Sequence, residues 1–174
     1  MSQQFAQRVL ESLGIFDTLR EYAPVLAGTF PLALDIPGSD LDILCEVHDF
    51  DEFERVVCAA FAQQTGFRVT RESVRGVPSL IVNFDYAGLP IEIFGQPVPV
   101  TEQYAYRHLL VEARLLEIGG EPARTAIRAL KLAGIKTEPA FAQYFKLEGD
   151  PYEVLVQLSY LDDEALCERV KIFL

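Results

Sequence analysis

The stretch Asp40–Val47 constrains this chain more than any other. It alternates strictly: Leu41, Ile43, Cys45 and Val47 fall on one side, and Asp40, Asp42 and Glu46 on the other. Side chains on a strand alternate with period two, so this reads as a strand with one face buried and one face acidic. Asp40 and Asp42, two apart, project side by side. Carboxylates held that close repel, and one is driven toward protonation unless a cation lies between them. Oxygen ligands of this kind suit a hard divalent cation such as Mg²⁺ or Mn²⁺.

The rest of the chain reads as an α+β fold around that strand. Gln3–Leu13 has helical spacing, with Gly14 ending it, and a short second helix is expected over Phe16–Tyr22. Pro24–Thr29 reads as a short buried strand and Phe30–Ser39, with two prolines and a glycine, as a loop. Asp51–Gln64 is helical, with Gly66 as its cap. Phe67–Val74 and Leu80–Tyr86 are strands, and Ala87-Gly88 makes a hairpin turn to a returning strand, Pro90–Phe94. After Pro99 everything is helical: Glu102–Ile118 with Thr101 as N-cap, Pro122–Ala133 with Gly134 at its end, a helix capped by Thr137, one opened by Asp150-Pro151-Tyr152-Glu153, and a last one from Asp162. The expected organisation is a strand-rich core over residues 1–98 and a helical half over 99–174, packed as a single compact unit.

Composition narrows the function. Half of the 174 residues are apolar and 24% are charged, which is globular composition and excludes a disordered chain. The net charge of −11 argues against nucleic acid as a partner, since phosphate contacts need clustered bases. It leaves open a nucleotide held through metal ions. Cys45, Cys58 and Cys167 are far apart and form no C-x-x-C pair, so they read as reduced core residues; Cys45, on the apolar face, is no candidate nucleophile. No apolar run reaches the ~18 residues of a membrane span, and the N-terminus carries no apolar leader, so the expected location is cytoplasmic, without a membrane partner.

A third carboxylate, Glu92, sits between Ile91 and Ile93, where a charge is costly unless paired or bound to metal. If its strand lies beside the Asp40 strand, three carboxylates can converge within one metal shell, an arrangement suited to in-line phosphoryl transfer. Asp85 competes for that role but sits beside the Ala87-Gly88 turn, where turn chemistry explains it more simply. Upstream, Gly28-Thr29 closes the first short strand and offers a phosphate cradle, and Gly38-Ser39 directly precedes Asp40.

Leu26-Ala-Gly-Thr29, the ten-residue gap and Ser39-Asp40-Leu-Asp42-Ile-Leu44 resemble the signature of the nucleotidyltransferase superfamily, the polymerase-beta-like fold. The likeness covers Leu26 to Phe94. From Ile93-Phe-Gly-Gln-Pro through Tyr106-Arg-His to Gly149-Asp-Pro-Tyr the chain also resembles a small bacterial family of unknown function grouped with those enzymes. The resemblance implies a mixed sheet with flanking helices. It implies Asp40, Asp42 and Glu92 as metal-binding and catalytic acids, Glu92 helping to deprotonate the acceptor. Gly28 and Thr29 would then contact phosphate. Thr29 stands where the pattern has Ser or Gly, and Glu92 where it has Asp.

Bases are scarce near those acids: residues 1–53 contain only Arg8 and Arg20, and all four lysines lie at or after Lys131. Arg124, Arg128 and Lys131 recur as one helical stripe. A triphosphate needs such groups for its outer phosphates, and Arg107 and Lys131 are the candidates, with Ser39 completing the nucleotide-binding set. His108 reads as a structural hydrogen-bonder, His48 as surface, Gln96 as a loop residue, and Phe141, Tyr144 and Phe145 as core. The expected activity is metal-dependent transfer of a nucleoside monophosphate from an NTP to a small-molecule or protein acceptor. The alternatives are a non-catalytic nucleotide-binding or protein-interaction module and, third, a phosphodiester hydrolase using the same ions.

Overall fold

The computed structural model describes residues 3–171, which fall into two compact units. One comprises residues up to Pro31 together with Pro37–Gln103; the other comprises Leu32–Ile36 together with the chain from Tyr104 onward. The fold is α+β.

The first unit is built on a five-stranded sheet in the order β1-β2-β5-β4-β3, with β1 Val25–Ala27, β2 Leu41–Glu46, β3 Thr65–Val74, β4 Val77–Tyr86 and β5 Leu89–Gln96. Only the β2–β5 pair is parallel. Alternation sorts the residues as expected: Leu41, Ile43, Cys45, Leu80, Val82, Ile91 and Ile93 fill one face and are buried with Val9 and Leu10 of α1 (Gln3–Leu13) and Phe53, Val57 and Phe61 of α3 (Phe50–Phe61). Arg71, on that same face of β3, bonds Asp51 and Glu54 of α3. The edge of this core closes with aromatic contacts, Tyr22 edge-on to Phe53 and Phe61 stacked on Phe84.

Several boundaries differ from the sequence reading. The second helix splits into one α-helical turn, α2 (Ile15–Thr18), and a 3₁₀ turn over Arg20–Tyr22. Gly66 does not cap α3. It lies within β3 at φ +70°, where a bulge places three steps of β3 opposite two of β4. Asp49 caps α3, accepting from the Glu52 amide. A second hairpin turn, Arg75-Gly76, with both residues at positive φ, matches Ala87-Gly88 in kind and extends β4 at its start. Gln96 ends β5 rather than a loop, buried and bonded to Ser79.

The second unit is helical. Thr101 is not an N-cap: Val100–Glu102 form a 3₁₀ turn in the first unit, and α4 begins at Tyr104. This helix runs to Leu132 but breaks at Gly120 (φ 60°, ψ −155°), with Pro122 in the first turn of the second segment, so the two expected helices are present end to end. In α5 (Thr137–Phe145) the cap position belongs to Lys136, and Thr137 is the first helical residue. Asp150 caps α6 (Pro151–Ser159) through the Tyr152 and Glu153 amides, and Asp162 opens α7 (Asp163–Lys171) through the Ala165 amide. Phe141, Phe145, Leu155 and Leu166 form the core, joined by Leu32 and Leu34. The guanidinium groups of Arg124 and Arg128 donate to the Leu32 and Asp35 carbonyls, so this short segment is held by backbone acceptors as well as by apolar contact.

Among these apolar side chains lies Glu112, 3% exposed, its Oε1 without a hydrogen-bond partner. Burial raises its pKa well above the ordinary carboxylate value, the nearby Glu138 adds to the rise, and Lys131 opposes it. The folded state therefore holds the proton to a higher pH than the unfolded chain does. As pH rises past the unfolded value the unfolded chain binds fewer protons, and stability falls. We expect Glu112→Gln to remove this pH-dependent loss: thermal midpoints of the variant and the native chain converge near pH 4 and separate in favour of the variant toward pH 8.

Candidate active site

The face of the sheet opposite the α1–α3 core carries polar rows that run across the strands. Asp42 of β2 is in register with Glu92 of β5, Glu92 with Asn83 of β4, and Asn83 with Arg68 of β3. Residues in register share a face, so four polar side chains stand in one line where each neighbouring strand adds about 4.8 Å. Asn83 Nδ2 donates to Glu92 Oε2 at 3.0 Å, and Arg68 Nε donates to Asn83 Oδ1 at 3.2 Å. Asp40 stands exposed just ahead of β2. Its charge reaches Glu92: burial raises the Glu92 pKa, Asn83 and Arg68 work against that rise, and Asp40 and Glu72 add to it.

The short strand β1 brings the small-residue pair to the same place. Ala27 is in register with Asp42, and Gly28 follows at φ +67°. A Cβ on Gly28 would stand 1.8 Å from Asp42 Oδ2. Glycine is required here twice over, by its left-handed backbone and by the carboxylate packed against it. Thr29 continues the turn, and Ser39 precedes Asp40 at the other end of the Phe30–Ser39 stretch. Asp85 is exposed on β4, opposite Thr65 and Pro90 and away from the Glu92 row.

The donor set is the one a hard divalent cation takes: carboxylate oxygens only, with Glu92 short of compensating charge. Among the described residues, no group of three His, Cys, Asp or Glu side chains is gathered closely enough to hold a metal ion as it stands. The structure brings Asp42 and Glu92 together with Gly28, and Asp40 within electrostatic reach of Glu92.

The bases singled out in the sequence have local partners in the helical unit. Lys131 is 6% exposed and its Nζ donates to Thr137 Oγ1 at 3.0 Å. Arg107 stacks over the Tyr160 ring at 4.5 Å, with its Nε buried and unbonded. His108 is a buried structural hydrogen-bonder, donating from Nε2 to the Tyr152 carbonyl, with Nδ1 3.4 Å from Glu138. His48 is exposed beside Glu46. Burial pushes the Cys45 thiol up to about 12, so it is no nucleophile at neutral pH.

Asn83 and Arg68 escaped the sequence reading. No motif contains them, and their alignment with Glu92 exists only through strand pairing. One signal was present: Asn83 and Asp85 are polar positions alternating with Val82 and Phe84, so the outer face of β4 had to lie on something polar.

Comparison with solved structures supports the fold. The chain superimposes on a chain of the GLD-2/RNP-8 complex with a TM-score of 0.59 at 12% identity, over 94% of this chain and 69% of that one. It matches the Cid1 poly(U) polymerase bound to MgATP with a TM-score of 0.55 at 12% identity, over 90% and 49%. It matches the polymerase core of TRAMP, an RNA surveillance complex, with a TM-score of 0.54 at 10% identity, over 98% and 56%. The chain thus spans about half the length of the Cid1 and TRAMP polymerases, and what it shares with them is the polymerase-beta-like nucleotidyltransferase fold. No curated protein matches it. The family model for a domain of unknown function, DUF4269, matches residues 8–158, and the chain belongs to that family.

Proposed function

We propose that this protein transfers a nucleoside monophosphate from an NTP to a hydroxyl of a small-molecule or protein acceptor. The observation that carries the reading is the register of Asp42 with Glu92 on paired parallel strands, with Gly28 pressed against the Asp42 carboxylate. Two acids from distant parts of the sequence are kept adjacent on a polar face, at the cost of mutual repulsion. Asp40, Asp42 and Glu92 would hold Mg²⁺ or Mn²⁺, which supplies charge neutralisation and polarises the phosphoryl oxygens. The Gly28-Thr29 turn and Ser39 bind the phosphates. Glu92 orients the acceptor hydroxyl and takes its proton, a role matched by the raised pKa that burial gives it. The acceptor oxygen forms a bond to the α-phosphorus as the bridging bond to the β-phosphate breaks, and pyrophosphate leaves with the electron pair.

The acidic chain, −11 overall, favours a small or protein acceptor over RNA or DNA. The cytoplasm is the proposed location, in keeping with the free Cys45, Cys58 and Cys167 and with the finding that no helix of the described residues is long and apolar enough to cross a membrane.

Release of pyrophosphate from NTPs in the presence of Mn²⁺ tests the reading. Asp42→Asn and Glu92→Gln should each lower the rate about a hundredfold or more, the scale of removing a group that stabilises transition-state charge. Phosphate instead of pyrophosphate would indicate a hydrolase; no turnover, with NTP still bound, would indicate a binding module. Independently, Mn²⁺ at about 100 times its Kd should stabilise the native chain by about 2.7 kcal/mol, seen as a higher thermal midpoint that Asp42→Asn abolishes.

Gly28→Ala should lose about 1–2 kcal/mol to the left-handed backbone alone and more to the collision with Asp42. In an Asp42→Ala background only the backbone loss should remain, and a double-mutant cycle of thermal unfolding reads the difference.

A further inference from the structure

The row that begins at Asp42 does not stop at Glu92, and its far end has no counterpart in the acids. Arg68 stands exposed on β3, the edge strand, two strands from Glu92 or about 10 Å between backbones. Its Nε is bonded to the neutral amide of Asn83, and among the described residues no carboxylate lies within ion-pair distance of it. Arg71, three residues on and on the opposite face, shows what an arginine ordinarily finds in so acidic a chain: it bonds both Asp51 and Glu54. The bulge between Thr65 and Arg68 is what sets the difference. The extra residue, with Gly66 at φ +70°, puts Arg68 in line with Asn83 and Glu92; a continuous strand would turn it to the other face. Bulges that re-aim one side chain beside a site recur next to active centres.

Asn83 uses both ends of its amide in this arrangement. Its nitrogen fixes one oxygen of Glu92 and its oxygen fixes the arginine Nε, and the exposed Arg68 keeps two further guanidinium nitrogens as donors suited to an oxyanion. The surrounding charges on this face, Asp40, Asp42, Glu72 and Glu92, are all negative. A polyanion that brings no metal ions with it is repelled there; one anionic group is matched by Arg68.

Building on the nucleotidyl-transfer reading, we propose that Asn83 and Arg68 form the acceptor side of the site, and that the acceptor is a small hydroxy compound bearing a single carboxylate or phosphate, its hydroxyl at Glu92 and its anionic group on the Arg68 fork. Asn83 acts as a positioning residue for Glu92, and Arg68 as a specificity residue.

The test uses the full chain with Mn²⁺ and α-labelled NTPs, offered glycerate, glycerol 3-phosphate, glycerol and a mixture of folded proteins. Label should pass to glycerate or to glycerol 3-phosphate, which separates the carboxylate from the phosphate class, and not to glycerol. Arg68→Met should raise the KM for that acceptor roughly tenfold or more, the scale of one charge-assisted hydrogen bond, while the NTP KM holds and Arg68→Lys recovers part of the loss. Equal labelling of glycerol, label in protein, or an unchanged acceptor KM in Arg68→Met overturns the proposal. Should no pyrophosphate form with any acceptor, the transfer reading falls, and NMR titration with glycerate and glycerol 3-phosphate decides the anion site by itself. Shifts of the Arg68 Nε–H signal in the native chain, together with Asn83 amide shifts that vanish in Arg68→Met, uphold it; their absence overturns it.

Discussion

The parallel pairing of β2 with β5 is the contact on which the candidate site depends. Parallel strands cannot be joined by a tight turn, so α3, β3 and β4 all intervene in sequence before Glu92 can lie beside Asp42. A slip of one residue in this register would carry Glu92 to the buried face and Ile91 or Ile93 to the polar one. The apolar set Leu41, Ile43, Ile91 and Ile93, each buried, forbids that slip, because turning β5 over would expose Ile91 and Ile93 and bury the Glu92 charge against the β2 face. The hydrophobic face therefore holds the acids in place from the other side of the sheet.

The same logic explains why glycine, and no other small residue, follows β1. The strand is three residues long and contributes little pairing of its own, yet Ala27 is in register with Asp42 and the chain must turn at once. The turn occupies the space next to the Asp42 carboxylate that any side chain would claim. The functional candidate and the backbone constraint are one feature.

Much of this was legible in the sequence because it is local. The phase of Asp40 and Asp42, the hairpin at Ala87-Gly88, the Asp150 cap and the break between the two segments of α4 depend on neighbours a few residues away. What was not legible depends on distant partners. Gly66 looks like a helix cap, and only the β4 partner reveals a bulge. Arg124 and Arg128 look like a solvated or phosphate-binding stripe, but carbonyls 92 and 93 residues earlier claim them. Lys131 belongs to the same stripe by helical spacing and is buried beside Thr137, whose apparent role as a cap is taken by Lys136. Asn83 and Arg68 acquire meaning only once strand pairing sets them in line with Glu92.

The five residues Leu32–Ile36 have a consequence for how this chain is made and cut. They emerge early in synthesis, inside what becomes the strand-rich unit, yet Leu32 and Leu34 complete a core whose other members follow Gln103. No single cut yields a helical fragment with its core whole: cleavage after Gln103 strips it of two leucines and of the acceptors for two arginines. During synthesis the strand-rich unit can close as its last strand arrives, while this segment waits for the helices to be made. A protease that nicks the chain between Phe30 and Ser39 would therefore report whether the later unit has folded.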